Sequence, residues 1–449
     1  MQAASTFNTL STLAERYSDI PREAILKSDL LRLGVSFSPE ALKACAQAKP
    51  KSYFIFSFDR TEQKDLSPEE RRVVPEEIAL IGGPYDFKRT IVSVRINPGS
   101  PYRITHKEEG LILSLRISPP IPPLGLGVGR EGGDIEKICD ILLPSFPEYY
   151  GTPLSNGKPV SDIAPTIEWG YLIYLTIFRL CQYFGAEEEC QFCDINHNYR
   201  QQKAEGRPYT GIKSISEILE ALSIIHEKDR EKSSRTYTVT GGSITTKLQG
   251  MNEAEFYAQY ARAIEEKFPG RWLGKAVVQG LPESEIQLLK DSGYKIYHPN
   301  YEVWDKRIFA ALCPGKERYV GRNEWIRRIL AGAKIFGPER VIPNFVAGIE
   351  MSKPHGFGTI DEAMASTAEG LDFFMSQGIC PRFTVWCVEP NTELSRTNAE
   401  PPPLEYYVRL LQVYREIFRK YKLPVPPGYG EAGLGKAVFS VSAFMDVLS

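Results

Sequence analysis

Cys181, Cys190 and Cys193 fall within thirteen residues, in the stretch Cys181-Gln-Tyr-Phe-Gly-Ala-Glu-Glu-Glu-Cys190-Gln-Phe-Cys193. The last two are spaced C-x2-C, so one tight turn aims two sulfurs at one metal centre. The third sulfur comes from the end of an apolar run, Tyr171 to Leu180, that reads as a buried strand. Three thiolates fill three corners of a tetrahedral site, or hold three irons of a cubane. A cubane held that way keeps one iron open to another ligand. Zinc bound by the same thiols and His197 is the competing use of this loop. Zinc knuckles commonly use two close pairs, and only one pair stands here.

Other polar residues recur where strands are expected to end. Gly241-Gly242-Ser243 follows Tyr237–Thr240, and Gln279 ends the run from Lys275. Asn300-Tyr301-Glu302 follows Lys295–His298, Glu350 follows Val341–Ile349, and Glu389 follows Arg382–Val388. Helical patterns lie between these runs. Ser214-Ile-Ser-Glu217 is a capping box, and Ile215, Ile218, Leu219, Leu222 and Ile225 then share one face. Further helices are predicted over 252–268, 282–292, 323–336, 359–377 and 404–421, most of them closed by Gly or Pro. Six strand–helix units in succession predict a parallel sheet with helices outside it, doubly wound or curled into a barrel. In such folds ligands bind at the C-terminal strand edge, where all these residues cluster.

The first part of the chain reads differently. Residues 1 to about 35 are expected to be helical, with a break at Pro21. Tyr53–Phe58, Thr90–Ile96 and Leu111–Ile117 are short strand-like runs between Pro- and Gly-rich turns. Residues 1–165 are therefore expected to form a smaller α+β domain of unknown role, and 166–449 the βα domain with a C-terminal helix. Gly125-Leu-Gly-Val-Gly-Arg-Glu-Gly-Gly has no preceding strand and no P-loop lysine, so it reads as a linker.

Composition excludes several classes. A formal net charge of −2, with no basic patch interleaved with aromatics, argues against a nucleic-acid surface. No apolar run has the length of a membrane span, and no signal peptide is evident, so a cytoplasmic location is expected. Eight cysteines over 449 residues do not make a disulfide scaffold. Cys45, Cys139, Cys313, Cys380 and Cys387 are expected to be buried thiols, and only the clustered trio metal ligands.

The cysteine loop resembles that of the radical S-adenosylmethionine superfamily, whose members carry three cysteines after the first strand of a partial (β/α)6 TIM-type barrel. The common pattern is C-x3-C-x2-C with an aromatic residue before the last Cys. Phe192 fills the aromatic position, while the first gap here is eight residues. The likeness extends along most of residues 165–400, with a biotin-synthase-like run from Leu288 through Val303. It implies that Cys181, Cys190 and Cys193 hold a 4Fe–4S cluster whose open iron binds S-adenosylmethionine. It further implies that Gly241, Gly242 and Ser243 receive the cofactor's amino group, that Asn300 and Glu302 hold its ribose, and that Glu350 lies in the stretch lining the adenine. Asn300 and Glu302 are alternate residues, so their side chains are expected on the same side of the strand. The implied activity is reductive cleavage to methionine and a 5′-deoxyadenosyl radical, which takes hydrogen from a small-molecule substrate. An electron donor such as flavodoxin or ferredoxin is the implied partner. The alternative is a zinc-stabilised βα-barrel ligand-binding protein without radical chemistry.

Overall fold

The structure is a computed structural model. It describes residues 2–51, 74–116, 134–204, 211–398, 400–436 and 438–448. The strand-like run Tyr53–Phe58 and the glycine-rich segment 125–133 lie outside the described residues.

Two sheets organise the chain. The first has six strands: β1 (Ser36–Phe37), β2 (Glu77–Gly82), β3 (Phe87–Ser93), β4 (Tyr102–Lys107), β5 (Gly110–Arg116) and β6 (Asp134–Leu142). Their spatial order is β1-β4-β5-β6-β2-β3, antiparallel except for the β1–β4 pair. The helix Arg22–Leu33 packs on β3, with Ile25, Leu26, Leu30 and Leu31 buried.

The second sheet has seven strands. They are β7 (Thr166–Ile167), β8 (Leu172–Phe178), β9 (Thr236–Gly241), β10 (Leu273–Val278), β11 (Ile296–Glu302), β12 (Asn344–Ala347) and β13 (Arg382–Val385). The strands lie in sequence order; β8 to β13 are all parallel, and β7 runs antiparallel along β8. Helices Ile215–Lys228, Glu253–Lys267, Glu283–Asp291, Arg322–Phe336 and Ile360–Met375 connect them. Three of these helices open with complete capping boxes, from Ser214, Asn252 and Thr359. Each cap satisfies amide donors that the first turn otherwise leaves unpaired. The sheet ends at β7 and β13 without closing, so the fold is a mixed α/β half-barrel.

Two departures from the sequence expectations have clear causes. β12 is shorter than the predicted run because Pro343 cannot donate to the ladder, and Gly348, at φ +107°, turns the chain into a short helical turn. Between β11 and the helix Arg322–Phe336 the structure has two further short helices, Lys306–Leu312 and Pro314–Tyr319. Pro314 divides them, which breaks the helical periodicity in the sequence.

The open side of the half-barrel meets the first sheet. After the helix Leu404–Lys420 the tail returns and bridges two sheet edges. Val385 N of β13 donates to Val441 O at 3.3 Å, and Ser93 N of β3 donates to Ser440 O at 3.2 Å. At the other edge, Lys49 Nζ donates to Thr166 O at 2.8 Å. The Glu77 carboxylate accepts the backbone amides of Glu168 and Trp169. Those two residues and Gly170 all have positive φ, so the β7–β8 turn is left-handed and held by a side chain of the first sheet.

A fully buried ion pair fastens the tail. Lys27 Nζ lies 2.9 Å from Asp446 Oδ2 and donates to Phe439 O at 2.6 Å. Removing one partner of such a pair leaves an uncompensated charge in the interior, at a cost of about 3–5 kcal/mol. Lys27→Met is therefore expected to lower the unfolding free energy read from urea titration by that amount, and Lys27→Met with Asp446→Leu to recover much of it. Equal destabilisation by the single and double variants would disprove the coupling.

Candidate functional site

Cys181 stands three residues beyond β8, and the loop it opens runs through Cys193. Local hydrogen bonds fix the loop's shape. Asn196, itself buried, accepts from Cys181 N at 2.8 Å and donates to Tyr183 O at 3.1 Å. Cys193 N donates to Cys190 O at 3.0 Å, which closes the C-x2-C turn. The helix Pro314–Tyr319 packs beneath: Gly315 N donates to Glu188 O, and a Cβ at Gly315 would stand 2.5 Å from that same oxygen.

The glycine pair after β9 presses on the same loop. A Cβ on Gly242 would fall 2.3 Å from Leu180 O and 2.5 Å from Cys181 Cα, and one on Gly241 would fall 2.4 Å from Phe178 O. Backbone meets backbone there, so only glycine fits. Ser243 O accepts from Gln182 N at 2.9 Å, which ties the pair to the residue after Cys181. Gln279 supports the loop from below in a buried network. Tyr183 Oη donates to Gln279 Oε1 at 2.9 Å, and Gln279 Nε2 donates to Glu253 at 2.9 Å.

The three thiols stand near one another and are held protonated. Burial, and then Cys190, pushes Cys181 up to about 12. A hydrogen bond with Cys313, and then burial, holds Cys190 well above the usual thiol range. Burial does the same to Cys193, with Cys190 and Asp194 adding to it. Thiols in such surroundings ionise when a cation binds, because the metal charge outweighs desolvation. Among the described residues, no three Cys, His, Asp or Glu side chains are close enough together for one metal ion.

The cluster loop, the strand ends and the first sheet line one cavity of about 250 Å³. Phe192 and Cys193 line it, as do Gly241, Asn300, Glu302 and Glu389. Two rows of cross-strand neighbours form its wall: Thr240, Val277 and His298 in one, Asn300, Asn344 and Arg382 in the other. Glu76, Glu77 and Ser93 of the first sheet complete it, with Phe439 and Ser440 of the tail.

Asn300 and Glu302 thus share the cavity with the cysteine loop. Glu302 already has a partner: Lys316 Nζ forms an ion pair with its carboxylate and donates to Asn300 O at 2.9 Å. Glu302 sits at φ +85°, a conformation that costs a non-glycine residue about 1–3 kcal/mol. A bulge in the β11–β12 ladder falls between these two residues. Glu350 is not brought to the others. Its buried carboxylate accepts from Gly348 N, Thr367 Oγ1 and Tyr406 Oη, so it fastens the turn after β12 to two helices and does not line the cavity.

Lys316 and Cys313 had no place in the sequence expectations as site residues. Cys313 is buried as expected, yet its side chain reaches Cys190. A Lys one helical turn past a Cys-Pro step, fourteen residues after Glu302, was the available signal.

Glu168 gives the cavity a proton that titrates near neutrality. Ser440 Oγ lies 3.2 Å from Glu168 and 3.3 Å from Glu77. Burial, and then the Glu77 charge, raises the Glu168 carboxyl from 4.5 to about 8. The folded chain keeps this proton where the unfolded chain has lost it. Its stabilising contribution is full below pH 4.5 and is lost as pH rises through about 8. Glu168→Gln should therefore lose less Tm than the parent chain across that interval, in a thermal melt series. Parallel Tm–pH curves for the two would refute the assignment.

The architecture is an α/β half-barrel whose first strand-end loop presents Cys193 to an internal chamber. No protein-family model matches the chain. Bacteriochlorophyllide c C-7(1)-hydroxylase of Chlorobaculum limnaeum is 27% identical over 298 residues, 62% of this chain and 69% of that protein. Among solved structures, methylornithine synthase shares 11% identity over 56% of this chain at TM-score 0.36, and this chain spans 63% of its length. A radical SAM methyltransferase from Sphaerobacter thermophilus shares 14% identity over 93% of this chain and 92% of its own, again at TM-score 0.36. These structural overlaps are loose and carry no argument about function.

Among the described residues no helix is long and apolar enough to cross a membrane.

Proposed function

We propose that this chain binds a 4Fe–4S cluster through Cys181, Cys190 and Cys193, and S-adenosylmethionine beside it, and acts on a small molecule held in the barrel cavity. The observation that carries this reading is the shared chamber: Phe192 and Cys193 of the thiol loop line the same cavity as Asn300 and Glu302. When bound, the pair of cofactors supplies one-electron cleavage of the sulfonium to methionine and a 5′-deoxyadenosyl radical, which takes a hydrogen atom from the substrate.

The protein's share is positioning and enclosure. Gly241 and Gly242 let the β9 end lie against Cys181, which sets the loop's height above the sheet. Lys316 pairs with the Glu302 carboxylate at the cavity wall, where that carboxylate can accept two ribose hydroxyls. The first sheet and the tail keep water from the open side of the half-barrel. The relative's name makes hydroxylation of a C–H bond the first outcome class to assay. A flavodoxin- or ferredoxin-type protein is the expected electron source.

Anaerobic reconstitution with iron and sulfide tests the reading. A broad visible absorbance and the formation of 5′-deoxyadenosine after dithionite reduction with S-adenosylmethionine are expected. A colourless chain that binds one zinc would overturn it in favour of a zinc-stabilised binding protein.

A further inference from the structure

The cavity wall holds a guanidinium with no counter-ion. Arg382, at the start of β13, forms no ion pair among the described residues. Its guanidinium lies over the Phe439 ring at 4.4 Å and 5.8 Å from the Tyr429 ring, and Nη2 reaches Thr384 Oγ1 at 3.3 Å. Tyr429 Oη is 3.1 Å from Nδ1 of His298, a residue only 1% exposed that also lines the cavity. With the phenol donating to Nδ1, the imidazole carries its hydrogen on Nε2. That Nε2 has no protein partner.

Several neighbouring charges pair with one another. Lys49 answers Glu77, Lys51 answers Glu76, and Lys316 answers Glu302. Lys275 donates to Gly428 O, and burial, then Arg382, lowers its ammonium to about 7. Glu168 carries a proton up to about pH 8. Burial, and then Arg382, holds His298 well below the ordinary histidine value, so its imidazole is neutral. The Arg382 guanidinium and one neutral N–H donor therefore face the chamber, whose lining also holds Glu389 and Asp194. A monocarboxylate satisfies both: its two oxygens accept from a guanidinium and from the imidazole. An amine would meet Arg382 with like charge.

We propose that Arg382 and His298 form an anion subsite that holds a carboxylate group of the substrate inside the barrel. This rests on the reading of the cavity as the substrate chamber. The walls beside the subsite are apolar at Leu172, Val346, Val385 and Phe439, so the rest of that substrate is a hydrophobic body.

The test uses the full chain, isolated anaerobically, and three probes of one shape: 2-naphthoate, 2-naphthamide and 2-naphthylmethylamine. Binding is measured by calorimetry, with inorganic phosphate as a fourth titrant. Naphthoate is expected to bind at least tenfold tighter than the amide, with no detectable binding of the amine. Arg382→Met should lose that preference while naphthamide binding stays. Should Arg382→Met not fold, Arg382→Lys and His298→Phe must each weaken naphthoate at least threefold. Equal affinity for amide and carboxylate, tighter binding of phosphate, unaltered naphthoate binding in the variants, or no binding of any probe would each overturn the subsite. A chain that binds naphthoate through Arg382 but never yields 5′-deoxyadenosine would refute the radical reading and leave the subsite standing.

Discussion

Cys193→Ala is expected to fold and to remain colourless after reconstitution, with 5′-deoxyadenosine formation reduced to background. The thiol lies in a loop whose shape comes from its neighbours. Asn196 holds Cys181 N, and the helix Pro314–Tyr319 supports Glu188. Deleting one sulfur therefore removes a ligand without unthreading the loop. Two remaining thiols leave a second iron of the cubane without a protein ligand, and such clusters are lost. The same outcome is expected for Cys181→Ala and Cys190→Ala, read as iron content and visible absorbance beside circular dichroism. Cys313→Ala is the informative contrast. Cys313 touches Cys190 but lies in the helix junction beneath it, so colour should persist. A colourless Cys313→Ala with a brown Cys181→Ala would mean that the ligand set has been read wrongly.

Lys316→Met is expected to weaken S-adenosylmethionine binding by about 10²-fold, roughly 3 kcal/mol at 1.4 kcal/mol per decade. Burial works against the Lys316 charge, but Glu302, with Cys190 and Cys313 beside it, overcomes that and holds the ammonium above the ordinary lysine range. Without the cation, Glu302 is a lone buried carboxylate in a left-handed backbone conformation. It then takes a proton or swings away, and either change ends its ability to accept two hydroxyl hydrogen bonds. Lys316→Arg keeps the charge and should recover most of the affinity. Equilibrium dialysis of labelled cofactor on reconstituted protein decides it. Methionine and arginine variants of equal affinity would exclude a role for the charge.

The local rules made much of the second sheet legible. Strand runs ending in glycine or a polar residue, followed by capped helices, gave the six parallel strands their order. Ser214 and Thr359 are caps in sequence and in space, because a cap bonds only three residues ahead, and the structure adds Asn252. The cysteine triplet was legible for the same reason: its spacing lies within one loop. The pair of glycines was visible, but its reason was not. Gly242 faces Cys181 across a strand boundary, and a sequence does not show how closely two backbones approach. Glu350 looked like its neighbours at strand ends, yet three hydrogen bonds from other elements turn it away from the chamber.

The amino-acid order alone determined the thiol loop, the alternation of strand and helix, and the edge on which polar residues gather. Those properties depend on residues a few positions apart, where covalent geometry limits the outcomes. Only the tertiary structure decided how the half-barrel is closed and what lines its interior. Glu77 reaches the Glu168 turn across 91 residues, and Ser440 reaches Glu77 across 363. No local periodicity encodes such meetings. They follow from burying charged groups that must find partners once the two sheets and the tail exclude water between them.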